Sequence, residues 1–202
     1  AAVEERVDRV ALVVGKRVGT NHYPNLDEER LPDASVEQRE RSPRDKPPRE
    51  TDAFERLRLR TDRHARQRDE ERSVAFLLPV GPPKTRSARA NFARNALGCA
   101  GFRAVENVGF DSADEGARAA AEAVRSGKAQ LVACAAPDEH YAALLPAVRQ
   151  ALPRERDVPM LAVACPDALP DHERDAVDAL LYRGMDLLGT LEALQKQLGI
   201  AQ

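Results

Sequence analysis

The residues best suited to hold a ligand stand just after the first apolar run, in Gly81-Pro82-Pro83-Lys84-Thr85-Arg86-Ser87. Two cations and two hydroxyls at a helix start, with free backbone N–H groups and the helix dipole behind them, favour a phosphate or carboxylate. Against that, Pro82 and Pro83 each lack a backbone donor, and no glycine after Gly81 lets a ligand approach the chain. Two readings follow: an anion held by Lys84, Thr85, Arg86 and Ser87, or an ordinary solvent-facing helix cap.

Other chemistry-bearing residues are sparse. Asp138, after Ala135-Ala136-Pro137, fits the N-cap of the next helix and places His140 in its first turn, at the surface. Cys165-Pro166-Asp167 contains no glycine to admit a cofactor close to the backbone. His22, His64, His140 and His172 have no partners at metal-ligand spacing, and no nucleophile–base–orienter set can be assembled from sequence neighbours. The charges over 171–175 read as a solvated helix start. Cys99, Cys134 and Cys165 form no C-x-x-C pair and sit in apolar segments, so they read as reduced, buried small hydrophobes in a cytoplasmic protein. Cys134 and Cys165 end neighbouring strands, which leaves a redox or metal role as the lesser alternative.

The elements that position these residues alternate regularly. Val74-Ala75-Phe76-Leu77-Leu78 reads as a strand buried on both faces. A helix over 86–100 follows, with Ala88, Phe92, Ala96 and Cys99 inward and Gly101 ending it. Then come a strand over 103–108 and a Ser112-capped helix whose apolar face is Ala117, Ala120, Ala121 and Val124, closed by Gly127. A third strand runs over 131–134, and the helix from Asp138 buries Tyr141, Leu144, Leu145, Val148 and Leu152. The fourth strand covers 160–164, followed by a short helix around 172–178 and an edge strand near 179–182. Asp186 caps a last helix burying Leu187, Leu191, Leu194 and Leu198. Such alternation implies an α/β fold: a five-stranded parallel sheet with helices on both faces, in the flavodoxin-like order 2-1-3-4-5. Ligands of such sheets sit beyond the carboxyl ends of the strands, near the switch between strands one and three. The candidate site is therefore built from the loops 80–87, 135–138 and 165–168.

Composition divides the 202 residues into three regions. Residues 1–26 open with Val3, Val7, Val10, Ala11 and Val14 at helical spacing, then Asn21-His22-Tyr23-Pro24-Asn25 as an extended or turn segment. Residues 27–72 are rich in charge and read as a linker or strap, with a short helix near their end. Phe54, Leu57, Thr61 and Ala65 face inward on that helix, Thr51 or Asp52 caps it, and the charges up to Arg72 form a solvated face. Residues 73–202 are the α/β unit. With 31 basic and 33 acidic residues interleaved, no nucleic-acid partner is expected, and no apolar run reaches the roughly 18 residues of a membrane-spanning helix. Opening at Ala1 within a helical pattern, the chain reads as a fragment, a processed product or one piece of a split polypeptide.

Several strings occur in a telling order: Asn21-His22-Tyr23-Pro24-Asn25, Phe54-Glu55-Arg56-Leu57, Arg60-Thr61-Asp62 and Ala88-Arg89-Ala90-Asn91-Phe92-Ala93. Gly101-Phe102, Gly184-Met185-Asp186, Thr190-Leu191 and Leu198-Gly199-Ile200 follow. In this order and spacing the chain resembles the C-terminal third of the small subunit of methylmalonyl-CoA mutase. The resemblance implies a cobalamin-binding-like domain preceded by a remnant of a barrel domain and a charged connector. In that family the large subunit binds adenosylcobalamin through a D-x-H-x-x-G loop after strand one, a serine motif after strand three and paired glycines after strand four. Here those places hold Gly81-Pro82-Pro83, Ala135-Ala136 and Cys165-Pro166. The resemblance thus implies a non-catalytic subunit that binds no cofactor and has no catalytic or metal-binding residue of its own. It implies assembly, as a heterodimer, with a large subunit that carries adenosylcobalamin and interconverts methylmalonyl-CoA and succinyl-CoA; the missing barrel could stand on a separate chain. Two alternatives stay open: a cobalamin-carrying module of a split acyl-CoA mutase, and a flavodoxin-like ligand-binding module. A phosphoacceptor version of the latter wants an aspartate where Ala133 and Cys134 stand, and a flavin version wants a hydroxyl- and glycine-rich loop in place of the two prolines.

Overall fold

Strand β1 (Val74–Pro79) is buried at every residue but its first, because it has a strand on each side and a helical layer on each face. This computed structural model describes residues 24–25, 51–154 and 157–200. The expected helix over 1–26 and the strap over 27–50 therefore lie outside the described residues, apart from a buried Pro24 and an exposed Asn25. β2 (Arg103–Val105) runs parallel to β1 with Val74 opposite Arg103, and β3 (Leu131–Ala135) lies on its other side with Ala75 opposite Leu131. β4 (Met160–Ala162) and β5 (Ala179–Leu180) extend the sheet, again in parallel. The order β2-β1-β3-β4-β5 is the flavodoxin-like arrangement that the alternation predicts.

Six α-helices among the described residues cover this sheet: α1 (Asp52–Gln67), α2 (Pro83–Gly98), α3 (Ala113–Arg125), α4 (Tyr141–Ala151), α5 (Asp171–Arg174) and α6 (Leu187–Gln197). The two-residue period of the strands sorts the core into two halves. Ala75, Leu77, Leu131, Ala133 and Leu161 face one way, against Ala93 and Leu97 of α2, Leu191 and Leu194 of α6, and Phe54 and Leu57 of α1. Phe76, Leu78, Val132, Cys134 and Met160 face the other, against the alanines of α3 and Tyr141, Leu144, Leu145 and Val148 of α4. α3 comes close enough to β1 that a Cβ on Gly116 would lie 2.8 Å from Leu78 Cδ1. Its entry is fixed as the sequence suggests, by Ser112 Oγ accepting from the Glu115 N–H at 3.3 Å. Asp186 caps α6 in the same way, accepting from the Gly189 N–H at 3.0 Å.

α1 is part of this core rather than an appendage to the charged region. Thr61, 1% exposed, donates to Ala100 O at 2.6 Å. Gln195 of α6, also 1% exposed, donates to Leu57 O at 2.8 Å and Thr61 Oγ1 at 2.9 Å. The charges that follow α1 are not all solvated: Arg72 grips Asp62 with two bonds, of 2.5 and 3.1 Å, and both side chains are largely buried. A paired carboxylate can be buried because the guanidinium fork satisfies both its oxygens.

Four further expectations need correction. α2 starts at Pro83, whose fixed φ suits a first helical position, and its buried stripe is Ala93, Ala96 and Leu97; Ala88 is exposed. Ala88 precedes Leu97 by nine residues, two and a half turns, which puts it on the opposite side of the helix. β2 stops at Val105, since Asn107 turns its amide nitrogen onto Leu77 O at 2.8 Å and Gly109 adopts φ +105°; only an isolated Val80–Phe110 bridge follows. β4 ends at Ala162, two residues early. In α5, Glu173 is 7% exposed, so this helix start is not wholly solvated.

Replacing Gly116 by Leu should force α3 off β1 and destabilise the fold by about 1–3 kcal/mol. A urea-unfolding midpoint equal to that of the unaltered chain would show that α3 tolerates the displacement.

Candidate functional site

At the carboxyl ends of β1, β3 and β4, where a ligand would enter such a sheet, the ladder runs out before the backbone is exposed to solvent. Ala136 is fully buried and Val163 is 6% exposed, and each carries a carbonyl beyond the end of its strand. Buried carbonyls of this kind require partners. Arg89, on α2, reaches across the crevice, and its Nη1 donates to Ala136 O at 2.6 Å, Val163 O at 2.9 Å and Asp138 Oδ1 at 2.6 Å. Tyr141 supplies the rest from α4: its hydroxyl lies 2.9 Å from Val163 O and 3.2 Å from Cys134 O, and it accepts from the Ala136 N–H at 3.3 Å. The Arg89 guanidinium stands 6.0 Å from the centre of the Tyr141 ring, within range of a cation–π attraction.

Protonation follows from these contacts. Burial pushes the Tyr141 phenol up to about 12, so it stays protonated and donates. Burial works against the charge of Arg89, but its bonds to Asp138 and Tyr141 outweigh this and hold its pKa above the ordinary value. The mouth of the crevice is filled as well. A Cβ on Gly81, which has φ +91°, would lie 3.0 Å from His140 Cε1 and 3.2 Å from Pro137 Cδ. The turns after β1 and β3 are thus in contact across the place where a ligand would insert.

The residues singled out from the sequence are scattered by this geometry. Lys84, Thr85 and Ser87 lie exposed on the first turns of α2, whereas the Arg86 side chain is withdrawn. Its guanidinium donates to Gly81 O at 2.9 Å, Val108 O at 3.1 Å, Phe110 O at 3.2 Å and Asp111 Oδ1 at 3.4 Å, so it braces the β2–α3 turn. Pro82 caps α2 and Pro83 opens it. Ala135 and Ala136 are buried, and Pro166 begins a single 3₁₀ turn over Pro166–Ala168. Asp138 is not a helix cap: it opens a 3₁₀ turn, Asp138–His140, and its carboxylate pairs with Arg89. His140 is half-buried against Gly81 rather than at the surface.

Cys99 and Cys134 are buried, and burial pushes both thiols up to about 12, which leaves no thiolate for nucleophilic work. Cys165 is exposed, contrary to expectation, because β4 ends before it and the chain has already turned outward. Among the described residues no three His, Cys, Asp or Glu side chains converge to hold a metal ion, and no helix is long and apolar enough to cross a membrane. Arg89 and Tyr141 are the site residues that sequence reasoning missed. A tyrosine in an otherwise apolar helix face signals a buried hydroxyl needing partners; Arg89, between two alanines, carries no such signal.

No protein-family model matches the chain. It is 31% identical over 147 residues to the methylmalonyl-CoA mutase small subunit of Porphyromonas gingivalis, an alignment spanning 73% of this chain and 22% of that protein. It is also 35% identical over 98 residues to the probable methylmalonyl-CoA mutase small subunits of Mycobacterium tuberculosis and Mycobacterium bovis, over 48% of this chain and 15% of theirs. The chain therefore spans a minor part of the length of these relatives.

The buried phenol and thiols tie stability to alkaline pH. Unfolded, the thiols ionise near 9.0 and the phenol near 10.0; folded, all three hold their protons to about 12. Raised folded values mean that stability is intact below the unfolded values and falls as pH rises between them, since the unfolded chain then binds fewer protons. The urea midpoint should decline from about pH 9 upward, and Tyr141→Phe should flatten the part above pH 10 while costing roughly 1–2 kcal/mol at pH 7. A midpoint unchanged from pH 7 to 11 would contradict this.

Proposed function

From its kinship with methylmalonyl-CoA mutase small subunits, we propose that this chain is a non-catalytic structural part of such a mutase. In this reading it supports, as a heterodimer in the cytoplasm, a large subunit that carries adenosylcobalamin and interconverts methylmalonyl-CoA and succinyl-CoA. The observation that carries the proposal is the Arg89–Tyr141 brace across the carboxyl ends of β3 and β4.

The residues present do not fit a corrinoid. A cofactor tail needs a slot between the turns after β1 and β3, lined by small residues whose backbone it can approach. Here that space holds the Arg89 guanidinium, the Tyr141 hydroxyl and the contact of His140 and Pro137 with Gly81. An imidazole does stand at the mouth, that of His140, but it comes from the turn before α4 and packs on Gly81. Opening the slot would strand the buried carbonyls of Ala136 and Val163, at about 1–3 kcal/mol for each left unpaired, and would part the half-exposed Asp138 from its cation. No chemical step is assigned to this chain; what its residues do is close the crevice and keep the sheet edge rigid.

Two measurements test the proposal. Titration with adenosylcobalamin and with hydroxocobalamin, followed by visible absorbance and heat, should show no binding up to about 1 mM cofactor. A saturable base-off spectral change would instead make this chain a cofactor carrier. Co-expression with the cognate large subunit should yield a complex stable to gel filtration; separate elution at micromolar concentrations would remove the assembly role.

A further inference from the structure

Toward β2 the same sheet edge has an open cleft of about 220 Å³, equal to about seven waters at ~30 Å³ each. Its walls are charged and polar rather than greasy. Ser87, Asn91 and Arg94, four and three residues apart on α2, line one side, and Glu106, Asn107 and Val108 line the other. Arg94 Nη1 pairs with Glu106 across the top. The remaining hydrogen-bonding capacity is largely unspent. The exposed side chains of Ser87 and Asn91 make no hydrogen bond among the described residues, and the Nε of Arg94 is buried without one. Asn107 commits its amide nitrogen to Leu77 O, so its Oδ1 is left as an acceptor. The far wall is held in place, since Arg86 donates to Val108 O at 3.1 Å. The Val108 side chain, 98% exposed, forms an apolar lip.

We infer that this cleft binds a small zwitterion of the amino-carboxylate class. Its carboxylate would be taken by Arg94, Asn91 and Ser87, and its ammonium by Glu106 and the Oδ1 of Asn107. The reason for requiring both charges is the Arg94–Glu106 pair. A simple anion that captured Arg94, or a simple cation that captured Glu106, would break the existing pair and gain one contact for the one lost. A ligand bearing both charges exchanges one ion pair for two. The volume limits the side chain to a few atoms, lying against Val108.

The test is amide chemical-shift mapping on the full 202-residue chain, titrated with L-alanine and L-serine, with acetate and methylammonium as single-charge controls. Saturable shifts should appear at 87–94 and 106–108 with a Kd of about 1–10 mM. Both controls should be at least about tenfold weaker, and Arg94→Gln should weaken the amino acids by a similar factor. Asn91→Leu, on an exposed position, serves as a second variant should Arg94→Gln disturb the fold. No saturable shift by about 50 mM, an equal response to acetate, or affinity unchanged in both variants would overturn the inference.

Discussion

Val163 O sets the terms for the whole carboxyl edge of this sheet. β4 is three residues long and stops at Ala162, so the next carbonyl leaves the ladder while still buried. A buried peptide oxygen without a donor costs more than a typical hydrogen bond contributes, and the sequence answers by aiming two donors at the same atom. One is the hydroxyl of Tyr141, kept protonated by its own burial; the other is the guanidinium of Arg89. Once Arg89 is drawn there, its remaining contacts follow, with Ala136 on one side and the carboxylate of Asp138 on the other. The short strand, the misplaced cap and the filled crevice are thus one arrangement.

The β1–β2 side is organised by a different arginine. Arg86 gathers carbonyls from Gly81, Val108 and Phe110, and so braces a turn otherwise held by the isolated Val80–Phe110 bridge and the bond from Asn107 to Leu77 O. Two arginines three residues apart on α2 therefore brace opposite halves of the edge, and neither is left for solution anions. The negative charges nearest to them, Asp111 and Asp138, are placed to compensate.

What was legible in the sequence was what depends on period and local chemistry. Strands buried on both faces, the alanine stripe of α3, the leucines of α6 and the caps Ser112 and Asp186 follow from spacing within a few residues. The relation to mutase small subunits was legible too, from strings whose order outweighs their individual weakness. What failed depends on partners far along the chain. Asp138 resembles a cap because Arg89, 49 residues earlier, is invisible from its neighbourhood. Ala88 seemed apolar enough to face inward, but which side of α2 meets the sheet is decided by Ala93 and Leu97. Cys165 was expected to be buried on the assumption of a strand longer than the one that forms. The parallel strands β1, β3 and β4 that carry this edge were legible from the alternation; Arg89 and Tyr141, which fill the crevice between them, come from α2 and α4.

The union of α1 with α6 has a bearing on how the protein is made. Gln195 holds Leu57 O and Thr61 Oγ1 across separations of 138 and 134 residues, so the groove that receives α1 is not complete until α6 has been synthesised. During translation at ~5–20 residues per second, α1 would leave the ribosome on the order of ten seconds before its docking partner. For that interval Phe54 and Leu57 lack Leu191 and Leu194 of α6, which complete the apolar cluster around them. α1 thus waits, incompletely covered, until α6 arrives, and that is the window in which a chaperone would find it.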